Sequence, residues 1–561
     1  MKKLIECVPN FSEGVNMGII KQITDEVEAV DGVRLLNVDP GKATNRTVVT
    51  FVGEPEQVIE AAFRAIKKAG ELIDMSKQKG EHPRMGATDV CPLIPIANIS
   101  MEETAEYAVK LAKRVGEELQ IPAYLYEYAQ PNKSRSNLSV IRAGEYEGFF
   151  KKIKQPEWAP DFGPAENDVK RGATVIGARD FLVAYNVNLN TTSTRRANAI
   201  AFDVREAGRT MREGDPVMGK IVTDENGKPK TIPGSLKSVK AIGWYIEEYG
   251  IAQISMNLTN IDITPVHIAF DEVCKKANER GIRVTGSELV GLIPLKAMLE
   301  AGKYFLRKQK RSVGVSESEL IKIAVKSMGL DELSPFHPQE RIIEYLLKDQ
   351  TDTKLVSMSL TDFADETASE SPAPGGGSIS AYMGVLGASL ATMVANLSSH
   401  KKGWDGRWEE FSNWAEQGQR YKDELLGLVD KDTMAFNQIM EAFSLPKSTD
   451  EEKAARTQAV QSATKYAIEV PLKVMETAAE SFGLIKAMAE EGNPNSVTDA
   501  GVAALCARAA VLGAFMNVKI NASGYHDKAY VDDVLSKGAG LESEALRAEA
   551  EIIKMVHAKI S

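Results

Sequence analysis

The segment Pro372-Ala373-Pro374-Gly375-Gly376-Gly377 divides this chain into two kinds of protein. Before it, short runs rich in β-branched residues alternate with helical patterns. After it, strand signals are few and long amphipathic periodicities follow one another. The segment also opens a helix-like run in which Ala381, Gly384, Ala388, Ala391 and Ala395 recur at a spacing that puts them on one helix face. A stripe of Gly and Ala lets another backbone come close, and glycines ahead of a helix N-terminus leave room there for a ligand or a neighbouring chain. The stripe reads equally as an interface between copies and as an internal helix contact.

At 561 residues the chain has room for roughly three to four domains. Its 68 Lys and Arg against 78 Asp and Glu give a formal net charge of -10 with no long basic block, which argues against nucleic acid as a partner. Cys7, Cys91, Cys274 and Cys506 lie far apart, with no C-x-x-C pair, so neither a zinc knuckle nor a disulfide framework is expected. A reducing compartment, the cytoplasm, fits this usage. Glu6 interrupts the apolar N-terminal stretch and no small-residue cleavage site follows, unlike a secretory signal. No Asp, Glu, Lys or Arg occurs between Glu370 and Lys401, long enough to span a bilayer. Pro372, Pro374, the glycines after them and Ser378, Ser380, Ser389, Thr392 and Asn396 weaken its transfer into lipid, so a buried bundle helix and no membrane span is expected.

Along the first part, Thr47–Val52 reads as a strand, and Glu56–Lys68 and Met101–Leu119 as helices. Phe181–Leu189 opens a second α/β unit, in which Gln253–Leu258 alternates polar and apolar residues. Thr264-Pro265 is expected to start a helix, Thr giving the capping oxygen and Pro the first helical position. Asp224–Lys230 reads as an exposed loop or hairpin tip, and Phe305–Lys354 as a charged helical connector. Amphipathic patterns at Trp404–Phe443, Glu451–Glu491, Asp499–Met516 and Asp532–Lys559 predict an antiparallel bundle. The fold class is therefore multidomain, with two α/β (α+β) subdomains, 1–180 and 181–327, a helical connector, 328–354, and an all-α helical-bundle domain, 355–561.

Several motifs carry a resemblance. In the first part they are Asn10-Phe11-Ser12-Glu13-Gly14, Glu81-His82-Pro83-Arg84-Met85-Gly86, Asp161-Phe162-Gly163-Pro164 and Gly172-Ala173-Thr174. In the last third they are Ala373–Ser378, Val429–Phe436, Leu445-Pro446-Lys447 and Phe515–Asn521. Together they resemble the formiminotransferase-cyclodeaminase family, in its domain order and over essentially the whole chain. The resemblance implies transfer of a formimino group from N-formimino-L-glutamate to N5 of tetrahydrofolate. Closure of 5-formiminotetrahydrofolate to 5,10-methenyltetrahydrofolate with loss of ammonia would follow, a step of histidine degradation and one-carbon metabolism. Tetrahydrofolate, expected to be polyglutamylated, would be the acceptor, with no metal, in a homo-oligomer.

Both steps move protons at an amidine carbon. A group cycling between base and acid near neutrality suits the first, and imidazole titrates there. From the residues alone His82, in a loop with glycine at both ends, reads as an ordinary loop residue or a satisfied hydrogen-bonding group sooner than as a catalyst; the resemblance implies general base, then general acid. Asp39, before Pro40-Gly41, either orients that site or makes a turn. The resemblance gives Asp161, Phe162, Gly163, Pro164, Gly172 and Ala173 to a folate-binding loop, although Ala165–Arg171 departs from the family pattern. In the second step a carboxylic acid would protonate the departing nitrogen, and Asp432 matches, its pKa raised by burial beside Ala435 and Phe436. Alone, Asp430 and Asp432 also read as solvated helix residues, and Asp499 as a cap or first-turn acid. Gly375, Gly376 and Gly377 suit close helix packing or folate contact, since neither a P-loop nor a dinucleotide fingerprint is present. Lys151, Lys152, Lys154, Lys401, Lys402 and Arg407 are available for an anionic folate tail or are plain solvated surface. His337 and Glu340 have no second histidine nearby, so no metal site is expected. The alternatives are a chain with one activity retained or a non-catalytic folate-binding protein.

Overall fold

The computed structural model describes residues 3–42, 44–80, 82–166, 168–214, 218–347 and 355–560. Glu81, Asn167 and residues 348–354 of the expected connector lie outside them. Two compact units result. The first contains residues 1–301 and 324–347, and the second contains 302–323 and the described residues after 347. The part of the expected connector before residue 348 thus belongs to the first unit.

In the first unit β1 (Leu4–Cys7), β2 (Asn10–Phe11), β3 (Val33–Gly41), β4 (Arg46–Gly53), β5 (Thr88–Ala97), β6 (Ala123–Glu127) and β7 (Thr174–Ala178) form one mixed sheet. β1 and β2 share the slot between β4 and β5, antiparallel to both, and β5, β7 and β6 run parallel. One face is covered by the helices Met17–Glu28, Pro55–Leu72 and Met101–Glu118, whose apolar stripes bury Ile23, Ile66 and Leu111. Their starts follow from local chemistry. Asn16 and Ser100 accept backbone N–H groups of the first turns, and Pro55 occupies a first-turn position, where its missing donor costs nothing.

The second sheet of this unit is β8 (Val183–Leu189), β11 (Val239–Ile246), β12 (Ile251–Leu258) and β13 (Val284–Val290), ordered β11-β12-β8-β13 and antiparallel throughout. β9 (Arg209–Thr210) and β10 (Thr231–Ile232) make a small ribbon ahead of it, and the Asp224–Lys230 tip turns on the Asp224 carboxylate, which accepts the N–H groups of Asn226 and Lys228. Ile254, Met256 and Leu258 are buried on one side of β12, towards the Thr194–Val204 helix. That leaves Gln253, Ser255 and Asn257 on the other side. One local expectation is corrected. Pro265 is itself the cap of the Val266–Asn278 helix, and Thr264 does not cap, because its buried hydroxyl donates to the Lys237 carbonyl at 2.7 Å.

The second unit is a helical bundle built from Gly376–Ser399, Trp408–Ser444, Asp450–Glu491, Val497–Ala522 and Lys528–Ile560, each packed on the next; short connections make consecutive helices antiparallel. Thr449 and Glu452 form a reciprocal capping box at the start of the Asp450 helix. Ala381, Ala388, Ala391 and Ala395 are fully buried, and a Cβ on Gly384 would lie 3.1 Å from the Leu425 methyls and 3.4 Å from the Ala510 methyl. The small-residue stripe is therefore an internal seat for the Trp408 and Val497 helices, and a large side chain at residue 384 would cost about 1–3 kcal/mol of overpacking. Gly376–Ser399 and Pro494–Ala522 are long and apolar enough to cross a bilayer, yet 61% and 50% of their most apolar windows are buried inside the protein.

Candidate active sites

The two sheets of the first unit leave a cavity of about 990 Å³ between their uncovered faces. Alternation along the strands decides what lines it: Glu6, Val8 and Asn10 from β1, β2 and the link between them, Val48 and Thr50 from β4, Val90 and Pro92 from β5, then Gln253, Ser255 and Asn257 from β12. Its far wall is a hydrogen-bonded amide and carboxylate network. Gln253 donates to Asn188 at 2.8 Å and accepts from the Trp244 indole at 3.0 Å, while Glu288 accepts from Asn186 and from the Tyr249 hydroxyl, both at 3.0 Å.

His82 lines this cavity, half-buried. Its Nδ1 lies 2.7 Å from the Pro83 carbonyl, which can only accept, so the neutral ring carries its proton on Nδ1 and leaves the Nε2 lone pair free. Burial, then the Arg46 and Arg142 guanidinium groups, push the imidazole well below its ordinary value, with Asp89 pulling the other way. Those cations are held by a fully buried carboxylate. Asp89 pairs with Arg46, accepts from Arg142 at 2.6 Å and takes the Met85 N–H at 2.9 Å. Burial favours the protonated form of Asp89, but the two guanidinium groups outweigh it and hold its carboxyl below the usual range. The Nε of Arg142 is buried without a hydrogen-bond partner.

Asp39 also lines the cavity, at the end of β3 rather than in a free turn; its Oδ2 accepts from Gly291 N at 2.9 Å and faces Arg341 at 3.8 Å. It ties β3 to the loop after β13, and the turn reading gives way to this anchoring one. The expected folate loop is placed differently. None of Asp161, Phe162, Gly163, Pro164, Gly172 and Ala173 is among the described residues lining the cavity. Asp161 spends its carboxylate on Leu125 N and Gln130, and the Phe162 carbonyl takes Ala123 N. Gly163 and Gly172 have φ of +88° and +70° and press on the backbones of Ile121 and Met85, and buried Ala173 donates to the Met85 carbonyl. These positions brace β6 and β7.

Of the expected cations, Lys152 donates to the carbonyls of Val140, Ile141 and Ala143, Lys401 lies over Trp404, and Arg407 pairs with Glu410 and Glu491. The cations at the cavity among the described residues are others: Lys42, Arg46, Lys133, Arg142, Arg179, Lys240 and Arg341. Sequence reasoning passed over them because they are scattered along the chain. Asp89 had one visible signal, a carboxylate inside the otherwise apolar run Val90–Ile94 and its approach.

In the second unit Asp432 sits half-buried where the Trp408 helix meets the N-terminus of the Gly376 helix. Its Oδ2 accepts from the Ser378 hydroxyl at 3.0 Å, and a Cβ on Gly377 would come 2.1 Å from its Oδ1. Gly377 is glycine because the carboxyl occupies the space of its side chain, and Gly376 lies against the Asn517 amide. Burial raises the Asp432 carboxyl above its ordinary value, against hydrogen bonds from the Ser378 hydroxyl and backbone. The burial comes from the glycine segment and Ser378, not from Phe436, which is exposed. Asp430 is buried and accepts the Leu355 N–H at 2.8 Å, so it is structural rather than solvated, and Asp499 stands in the first turn of the Val497 helix. Among the described residues no group of three or more His, Cys, Asp or Glu is placed to hold a metal.

Three family models match the chain: the formiminotransferase domain, N-terminal subdomain, over residues 4–179, the formiminotransferase domain over 184–348, and formiminotransferase-cyclodeaminase over 359–539. The formimidoyltransferase-cyclodeaminase of Gallus gallus is 44% identical over 557 residues, 99% of each chain. The glutamate formimidoyltransferase of Streptococcus pyogenes serotype M1 is 39% identical over 307 residues, 55% of this chain and 94% of its own. The methenyltetrahydrofolate cyclohydrolase of Methylorubrum extorquens is 38% identical over 203 residues, 36% of this chain and 98% of its own.

Proposed function

Because the chain belongs to the formimidoyltransferase-cyclodeaminase family, we propose that its two units carry out successive proton-managed steps on one folate-borne carbon, His82 serving the first and Asp432 the second. The chain transfers the formimino group of N-formimino-L-glutamate to N5 of tetrahydrofolate. It then closes 5-formiminotetrahydrofolate to 5,10-methenyltetrahydrofolate with release of ammonia.

In the first step N5 attacks the amidine carbon and the bond from that carbon to the glutamate nitrogen breaks. Nε2 of His82 takes the N5 proton and returns it to the departing nitrogen, so the ring ends as it began. The cations around it suit the dicarboxylate donor, and the unpartnered Nε of Arg142 offers one further N–H. In the second step N10 attacks the formimino carbon and gives up its own proton; the formimino nitrogen gains that proton and one more from Asp432 and leaves as ammonia, and the 5,10-methenyl product carries the positive charge. Asn517 and the glycine segment lie beside that carboxyl. The observation that carries this reading is that burial biases both proton-transfer groups towards their neutral forms, a base in the cavity and an acid at a helix start.

The finer features belong to the same proposal. The acceptor carries a polyglutamate tail, supported by Lys42, Lys133 and Lys240 at the cavity. The protein works in the cytoplasm, in keeping with its cysteine usage. It assembles as a homo-oligomer, supported by exposed Leu386, Met393 and Leu397 on one helix and Met516 and Ile520 on another. The test of the reaction follows ammonia and methenyl-folate absorbance together after mixing N-formimino-L-glutamate, tetrahydrofolate and the full chain. Equal amounts of both products are expected. Transfer without ammonia would remove the second half of the proposal, and no transfer would remove the first.

A further inference from the structure

Glu6 stands in β1 and lines the cavity, in register with Val52 of β4 and Ile94 of β5. It is 2% exposed, and its Oε2 has no hydrogen-bond partner. A carboxyl oxygen left without a hydrogen-bond partner in the middle of a buried sheet is costly to keep. Its charged surroundings are Arg179, which attracts it and itself donates to the Asp180 carbonyl at 2.9 Å, and Glu344, which repels it. Burial holds the Glu6 carboxyl up at about 7, against Arg179. The mechanism above makes no use of this group.

Its position relative to the imidazole follows from the strand register. Asn10, which accepts from Arg46 at 3.0 Å, pairs with Val48 and Val90, four residues along both neighbouring strands from the partners of Glu6. At about 3.3 Å per residue that is roughly 13 Å. The cavity floor therefore has a cationic end, where Arg46 and Arg142 reach His82, and a distant end with a carboxyl in want of donors. Val8, Thr50, Pro92 and Tyr126 line the same floor and offer a largely apolar bed for a flat ring.

A reduced pterin whose N5 meets His82 presents, on its opposite edge, the N3–H and the 2-amino group, two N–H donors side by side pointing the same way. A carboxylate matches such a pair with its two oxygens. The ring with a hydrogen bond of about 3 Å at each end covers that order of distance. The donor substrate fits Glu6 poorly, because its own two carboxylates suit the cationic end. We propose that Glu6 anchors the pterin of tetrahydrofolate by accepting N3–H and the 2-amino N–H, and so fixes N5 at His82. The inference rests on the folate reading above.

The test uses the full chain and Glu6→Gln, which replaces one acceptor with a donor facing the ring. Binding of tetrahydrofolate and of its 2-desamino analogue is measured by calorimetry, and KM for N-formimino-L-glutamate by initial rates. The wild type should prefer the 2-amino ring by about tenfold or more, and Glu6→Gln should bind tetrahydrofolate about 30-fold more weakly with most of that preference gone. KM for the donor should stay within about threefold, as expected when only folate contacts change. A variant that binds both folates like the wild type, or that raises only the donor's KM, overturns the assignment. If Glu6→Gln does not fold, Glu6→Asp must show the same loss of preference for the inference to stand. A wild type that binds no tetrahydrofolate would instead refute the folate reading itself.

Discussion

His82 and Asp432 occupy opposite kinds of surroundings, yet the same physical cause prepares both. The imidazole lies among full charges, Arg46, Arg142 and Asp89, on the wall of a cavity between two sheets. The carboxyl lies among neutral donors, the Ser378 hydroxyl and backbone, at the start of a helix in a bundle. In each case burial is the leading influence, and it disfavours the charged form. For an imidazole that favours a free lone pair, and for a carboxyl it favours the protonated acid. One physical effect therefore yields a base in the first unit and an acid in the second, and the neighbours only tune it.

The strongest way to break that comparison is to remove each group in turn. His82→Asn should lower formimino transfer by about 10³-fold, within the range of general acid–base catalysis, while supplied 5-formiminotetrahydrofolate is still cyclised at the wild-type rate. Asp432→Asn should do the reverse, lowering ammonia release by about 10²-fold and leaving transfer intact. Equal loss of both activities in either variant would show that the two sites are not independent. Gly377→Ala should have a smaller and equally one-sided effect, about tenfold on cyclisation, because a methyl there must displace the Asp432 carboxyl. A Gly377→Ala protein with normal ammonia release would mean that the carboxyl can act from another position.

How much of this could be read from the chain differs between the two units. The bundle was legible close to the helix ends for Glu451–Glu491 and Asp532–Lys559, found at Asp450–Glu491 and Lys528–Ile560, whereas Asp499–Met516 stops short of Ala522 and Trp404–Phe443 starts ahead of Trp408. Helical periodicity is a local signal, and the small-residue stripe marked the closest packing. Asp432 carried no such signal, because its burial depends on glycines more than fifty positions away in sequence, and only the motif resemblance singled it out. In the first unit the alternation of Gln253–Leu258 correctly separated a buried face from a polar one, but nothing local says that the polar face meets a second sheet across a cavity. The charges of that cavity come from β1, β3, β4, β11 and β13 and from the segments after β3, β6 and β7, brought together only by the pairing and facing of strands. Glu6 was visible as a charge in an apolar stretch, and its meaning waited on the sheet. In the Asp161–Ala173 stretch the glycines with positive φ, Gly163 and Gly172, admit neighbouring backbone, a packing role with no local signal in the chain.

The finest probe of the comparison is the pH dependence of transfer. The working form of His82 is the neutral ring, and its folded value lies below the ordinary 6.5 or so of an imidazole. As pH falls, the free enzyme should therefore keep its neutral base well past that point, and kcat/KM for transfer should hold level to about pH 4, above an acid limb centred at about 3. Arg142→Gln sharpens the prediction. It removes a cation that disfavours imidazolium and leaves Asp89, which favours imidazolium, less compensated, so both changes push the ring upward. The acid limb should move up by about half to one pH unit, even if KM for the donor also rises, because the position of the limb reads the ring and not the strength of donor binding. A limb that moves down, or one that stays in place, would mean that the guanidinium groups do not set the state of this imidazole, and the contrast between charged and neutral surroundings would lose its first half.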